Sequence, residues 1–166
     1  MEATVTNIEE AKVGKAVKRE VLLINQVDWM HKFLWPLVVE FTDAAKNPGI
    51  SAQSFFAYLI QGVVSRSVEV WGGFKDGECI AVLAFQSMGF PYYSCGLCSM
   101  AYAKETDGPL RKMVMQKFPE YLKRNNFKYF LFQAQTERHG KYFMKRCKEM
   151  GMKVMKDTFI FSGKRS

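Results

Sequence analysis

The sequence predicts one α/β domain, and three observations lead there. Strand-like and helix-like segments alternate along the chain from about residue 21. Hydrophobic residues make up 48% of the 166 and charged residues 24%, the proportions of a folded core with a solvated surface. No internal repeat and no Pro/Gly/Ser-rich linker divides the chain. A chain of 166 residues fits one domain, and 14% aromatic content excludes a disordered or low-complexity class. A core of this size needs no disulfide staples.

Residues 1–20 are polar and of mixed charge and read as an N-terminal arm, with the domain proper at 21–166. Val21-Leu22-Leu23-Ile24 reads as the first strand, bounded by Asn25. Asp28 is a candidate N-cap for a helix from Trp29. Pro36 marks a kink or a new start, because proline removes a backbone donor. The helical pattern resumes through Val38, Val39, Phe41 and Ala45 and ends at Asn47-Pro48-Gly49. Ser51 is a second N-cap candidate, followed at helical spacing by Phe55, Phe56, Leu59, Ile60 and Val63.

Val68–Trp71 and Cys79–Phe85 read as paired strands, because Asp76-Gly77 between them is a strong hairpin signal. A further strand runs from about Tyr92 to Tyr102. Thr106-Asp107-Gly108-Pro109 supplies a cap candidate and a proline near the first turn of a helix through Leu110, Val114, Phe118, Tyr121 and Leu122, interrupted at Pro119. Tyr129–Phe132 reads as a short buried strand. A helix from about Thr136 or Glu137 to Met150 stops at Gly151, and Val154–Phe161 closes the chain as a strand.

The longest nearly uninterrupted apolar stretch, Phe33–Val39, is far short of a bilayer span. Glu2, Glu9 and Glu10 precede any apolar run, which argues against a secretory signal. These features lead to the expectation of a soluble, cytoplasmic protein without a membrane partner. The four cysteines, at 79, 95, 98 and 147, then read as free thiols. Cys95 and Cys98 match Cys-x-x-Cys, but within a strand an offset of three places them on opposite faces, and no second Cys or His pair completes a metal site.

The net charge of +8 is unevenly spread. Residues 1–100 hold 8 Lys and Arg against 10 Asp and Glu, and residues 101–166 hold 16 against 6. The C-terminal half therefore suits an anionic partner: a phosphorylated cofactor, a nucleic acid or an acidic protein. Arg138, Lys141, Lys145 and Lys148 share one face of the last helix by i,i+3 and i,i+4 spacing.

The element order, with the closing segment GKYFMKRCKEMGMKVMKDTFIF (residues 140–161), resembles the GNAT superfamily of acyl-CoA-dependent N-acetyltransferases over roughly residues 20–162. The resemblance implies a single-domain GNAT-like fold, with a mixed, mainly antiparallel sheet flanked by helices. It implies acetyl transfer from acetyl-CoA to a primary amine of a protein or small molecule. The backbone amides of Ser99, Met100 and Ala101 would hold the pantetheine and polarise the acetyl carbonyl. The family's glycine-rich turn would fall at Lys104-Glu105-Thr106-Asp107-Gly108-Pro109. There one glycine survives, proline replaces the second, and two acids intrude, an erosion similar to that in short acetyltransferase-like proteins of tailed phages. Thr106, Gly108, Arg111 and Lys112 are the residues left to hold the pyrophosphate, with Gln133 and Gln135 lining the opposite side of the cleft.

The family's general-acid tyrosine on the last helix corresponds to Cys147. Tyr142, five residues earlier, points elsewhere at 100° per residue. A base is expected near the acceptor amine. The strand at 92–102 holds no acid, which leaves Glu69 on the preceding hairpin and His139 near the start of the last helix. Two other readings stand beside this one. The eroded turn, the absent tyrosine and the absent strand carboxylate fit a GNAT-like fold that binds without catalysing. The basic C-terminal half fits a nucleic-acid-associated protein.

Overall fold

The structure, a computed structural model, describes residues 15–45, 49, 51–89, 91, 94–132 and 137–152. Strand β1 (Arg19–Leu23) is followed by a helical run made of α1 (Val27–Trp29), a π-helical turn (Met30–Leu34) and α2 (Trp35–Ala45), and then by α3 (Ala52–Val64). Strands β2 (Val68–Lys75), β3 (Glu78–Gly89) and β4 (Ser94–Ala103) form a meander. Helix α4 (Gly108–Arg124), strand β5 (Phe130–Phe132) and helix α5 (Glu137–Glu149) complete the described elements. The sheet order is β1-β2-β3-β4-β5, antiparallel except for the parallel pair β4–β5.

The hairpin is built as its turn residues require. Asp76 and Gly77 both take positive φ, 49° and 86°, the backbone of a turn whose twist matches two right-twisted strands. Ser51 caps α3 by accepting from the Ser54 amide at 3.0 Å. Asp28 does not cap the first helix: it lies inside the first turn, behind Gln26, which makes no side-chain cap. Pro36 does not break the helical run but falls at the new start in it, as the second residue of α2 directly behind the π-turn. Pro119 does not end α4 either. One lost hydrogen bond there is outweighed by Phe118, Tyr121 and Leu122, which bury the helix against the sheet. The closing strand expected at Val154–Phe161 lies outside the described residues.

Two apolar layers sandwich the sheet. On one face, Leu34, Leu37 and Phe41 of the first helices and Phe56 and Leu59 of α3 meet Val70, Val82 and Met100. On the other, Val114 and Phe118 of α4 and Phe143 and Cys147 of α5 meet Leu83, Phe85 and Cys98. Cys95 packs with Leu97 and Leu131, so the two cysteines of the Cys-x-x-Cys lie on opposite faces, both buried. The mean plane of α4 is set by close approach to β2: a Cβ on Gly73 would stand 2.6 Å from Val114 Cγ2.

Candidate active site

The site begins with a bulge. In the β3–β4 ladder Phe85 pairs with Cys98 and Ala84 with Met100, which leaves Ser99 as an extra residue. An extra residue bends a strand and reverses its alternation. Hence Cys98 and Ala101 face α4, while Leu97, Met100 and Tyr102 face the other side. The parallel ladder to β5 covers only Gly96↔Phe130, Leu97↔Leu131 and Cys98↔Phe132. Among the described residues the ladder to β5 ends at Cys98, and Met100–Ala103 is paired with β3 on the other edge.

A cleft of about 320 Å³ opens beside this segment. Ala81, Leu83, Ala101 and Ala103 form its floor, and three alanines there leave room between sheet and helices. Val114 and Met115 of α4 and Phe143 of α5 form apolar walls, and residues 104–107 form the rim. Arg111, Tyr142 and Arg146 stand at the mouth. The Arg111 Nη1 donates to Tyr142 Oη at 2.6 Å, and the Arg146 guanidinium lies 4.7 Å from the centre of the same ring. Arg146 Nη1 also pairs with Glu149 at 2.6 Å. Its Nε is buried without a hydrogen-bond partner among the described residues.

The start of α4 is already occupied by an anion. Asp107 Oδ1 accepts from the Leu110 amide at 2.9 Å, and Arg19 Nε reaches both carboxylate oxygens at 2.9 and 3.1 Å. Lys75 Nζ stands 3.9 Å from the same carboxylate and pairs with Glu105 at 2.7 Å. The Asp107 side chain is only 5% exposed. Its hydrogen bond from Arg19, with that from the Leu110 amide, holds its carboxyl below the usual carboxylate range. Pro109 has no amide proton, so little of the first turn remains for another anion. The two acids of the eroded turn are thus tied down by Arg19 and Lys75 from the sheet. Arg19 belongs to β1, two residues ahead of the strand start read from sequence and within the stretch read as an arm.

Of the cofactor-binding residues expected from sequence, Ala101, Thr106 and Arg111 line the cleft. Ser99 is the bulged residue, its hydroxyl donating to the Ala84 carbonyl at 3.4 Å. Met100 is buried against α2 and α3 on the far face. Gly108 is the first residue of α4, and Lys112 is exposed outside the cleft.

Two of the catalytic candidates, Glu69 and Cys147, do not line this cleft. Glu69 accepts from Trp71 Nε1 at 2.7 Å and is paired with Arg124. That is the far end of α4, about 20 Å along the helix from Arg111 at 1.5 Å per residue. Cys147 is fully buried in the core, and burial pushes its thiol up to about 12. It is a packing residue and not part of the cleft. His139 lies in α5 by its backbone, with its side chain outside the described atoms, as are Gln133 and Gln135 entirely. Tyr142 does point away from Cys147, and that direction is the cleft. The i,i+4 spacing of Tyr142 and Arg146 was the available signal for it.

The face opposite α4 holds a carboxylate the sequence did not single out. Tyr102, near the end of β4, donates to Glu40 Oε2 of α2 at 3.0 Å. Burial, aided by Glu40, pushes the Tyr102 hydroxyl up to about 12. Glu40 escaped notice because it lies on a helix far from β4 in sequence. Beside it Phe41, Phe55 and Tyr58 stack in series, at centroid distances of 5.6 and 6.0 Å.

Solved structures show what class of fold this is. A predicted acetyltransferase from Clostridium acetobutylicum, crystallised with acetyl-CoA, superposes with a TM-score of 0.66 at 12% identity over 86% of this chain and 94% of its own. A ribosomal-protein-alanine N-acetyltransferase from Brucella melitensis gives 0.60 at 14% identity over 86% and 98%. An aminoglycoside 6′-N-acetyltransferase from Acinetobacter haemolyticus gives 0.60 at 14% over 89% and 99%. The chain therefore has the GNAT acetyltransferase fold, with its mixed sheet flanked by helices. No protein-family model and no curated protein matches the sequence. Among the described residues no helix is long and apolar enough to cross a membrane.

Proposed function

We propose that the protein transfers an acyl group, acetyl in the simplest case, from a CoA-type thioester to a primary amine. The observation that supports this reading is the apolar cleft along the Ala101–Ala103 end of β4, lined by Val114, Met115 and Phe143, with Arg111 and Arg146 at its mouth. The thioester supplies an acyl group activated toward a nitrogen nucleophile. The chain's part is positional and electrostatic. Amides at 99–101 offer donors to the acyl oxygen, where negative charge develops as the amine attacks. Ala81, Ala101 and Ala103 leave space for an extended arm, and Val114, Met115 and Phe143 exclude water from it. Glu40, held by Tyr102 at the other face of the same strand, accepts the proton of the incoming ammonium at a carboxylate oxygen; the freed amine nitrogen bonds the acyl carbon, the C–S bond breaks, and the donor leaves as its thiolate.

The fit to the whole of acetyl-CoA is uneven. The arm suits the cleft, but the start of α4 is filled by Asp107. That filling favours a second reading, a GNAT-fold protein that binds a ligand without transferring acyl groups. The exposed Lys141, Lys145 and Lys148 favour a third, contact with a nucleic acid or acidic protein.

A thermal-melting series with acetyl-CoA, CoA and ATP decides among them. At 100-fold excess over the dissociation constant a native-state ligand adds ~2.7 kcal/mol, a rise of about 5–10 °C for a domain of this size. The expected result is a rise with both CoA forms and none with ATP, followed by amide formation in an amine screen. No rise with millimolar acetyl-CoA ends the transferase reading. Binding without turnover moves the protein to the second reading. Oligonucleotide binding that falls steeply with salt, with acetyl-CoA without effect, moves it to the third.

A further inference from the structure

We infer that the acyl donor is recognised through a single phosphate, held by Arg111 and Arg146 on either side of Tyr142, and that the diphosphate and nucleotide of CoA add little. The ligand class is a 4′-phosphopantetheine thioester, whether presented by CoA or by a carrier protein. The inference rests on the acyl-transfer reading and deepens it.

Two independent observations lead to it. The first is the filled helix start. An anion at an α-helix N-terminus is stabilised by free amides and the helix dipole. At α4 the Asp107 carboxylate takes the Leu110 amide and is neutralised by Arg19 and Lys75. A diphosphate placed there would have to expel a carboxylate that the fold holds with two cations, and would face its charge if it stayed. The second is the mouth of the cleft. Among the described residues Arg111 is hydrogen-bonded to a neutral phenol and forms no ion pair, with Glu149 in electrostatic reach. Arg146 engages Glu149 through Nη1, while its Nε is a buried donor without an acceptor among the described residues. Because Arg111 donates to Tyr142 Oη, the phenol keeps its own proton to donate. Two guanidinium groups and one hydroxyl around a single ring form a donor set suited to one tetrahedral anion, since guanidinium groups bind phosphate through paired N–H donors. The cleft running inward from this point, about 320 Å³, has the dimensions of a pantetheine arm.

The test compares three donors with the full-length protein by calorimetry: acetyl-CoA, S-acetyl-4′-phosphopantetheine and S-acetylpantetheine. The expected result is that the first two bind within roughly threefold of each other, and that the third, lacking phosphate, binds at least about tenfold more weakly. Arg111→Gln and Arg146→Gln should each remove roughly tenfold from the phosphorylated donors and leave acetylpantetheine unchanged. Arg146→Lys should recover part of the loss, which separates charge from folding, and a melting curve on each variant checks that it is folded. Acetyl-CoA binding more than about tenfold tighter than acetylphosphopantetheine overturns the inference while leaving acyl transfer intact. So do Arg variants that bind all three donors like wild type. If no donor binds, the acyl-transfer reading falls and the inference falls with it. An acetylated carrier protein with higher kcat/KM than acetyl-CoA identifies the protein-borne source, and the reverse order identifies CoA. In both cases the single phosphate is the recognised group.

Discussion

Asp107 is the residue on which sheet, helix and site meet. Its carboxylate caps α4 and binds Arg19 of β1. Its folded pKa lies below the unfolded value, so its contribution to stability is present above about pH 3.9 and is lost as the pH falls through the folded value. Asp107→Asn keeps a capping oxygen but removes the charge. It should melt at a lower temperature than wild type at pH 7, with the gap narrowing as the pH drops below about 4, as thermal melts across that range would show. Glu69 and Cys147 make a complementary pair of tests. Glu69→Gln removes one half-exposed ion pair and should cost no more than about 1 kcal/mol, leaving the pH profile of acyl transfer unmoved. A lost acidic limb in that profile, with a large fall in rate, would instead make Glu69 the base. Cys147→Ser puts a hydroxyl into the core beside Phe143 and should cost roughly 1–3 kcal/mol in denaturant melts, with kcat unaffected in the folded fraction.

At the scale of elements, the packing of α4 on β2 controls where the cleft mouth lies. Gly73 permits that approach, with Val114 Cγ2, Ala81 Cβ and Leu110 Cγ all within 3.3 Å of where a Cβ would stand. Gly73→Ala should destabilise the protein by about 1–3 kcal/mol through overpacking. It should also weaken donor binding, because Arg111 rides on the same helical turns that must shift, and calorimetry on the folded variant reads this directly. The local devices at element ends were legible in the sequence wherever the chemistry was short-range. Ser51 caps α3 and Asp76-Gly77 turns the hairpin because each acts through its immediate neighbours. What the prolines do is decided at longer range: Pro36 falls at the new start read for it, and Pro119 sits inside an α4 that runs on to Arg124. Whether Pro36 or Pro119 breaks a helix depends on what the flanking residues bury, and that is a tertiary matter.

For the whole molecule, the charge asymmetry becomes specific only on folding. The C-terminal half carries most of the positive charge, yet much of the turn's own acidity is cancelled by Arg19 and Lys75 from the other half. At the cleft mouth Arg111 and Arg146 stand against the single carboxylate of Glu149. Their attraction for a phosphate at an exposed mouth is screened by salt. Acetyl-CoA affinity should therefore weaken as NaCl rises from about 0.05 to about 0.5 M, while that of acetylpantetheine stays flat. Equal salt dependence for both ligands would place the phosphate away from these side chains.

The sequence by itself determined the α/β class, the order of strands and helices within the described residues, the free thiols and the basic character of the C-terminal half. These follow from hydrophobic period, turn chemistry and composition, all of which are local or additive. It also placed Ala101, Thr106 and Arg111 near the site, through the position of the turn after β4. Only the tertiary structure decided that Ser99 is a bulge, that Arg19 neutralises Asp107, that Glu40 meets Tyr102, and that Tyr142 stands between two arginines while Cys147 is buried. Arg19 and Asp107 are 88 positions apart and Tyr102 and Glu40 are 62 apart. No periodicity within one element encodes a meeting of two. Those pairs form because two apolar layers must close over one sheet, and the closure brings together polar groups that the pattern of either segment leaves independent.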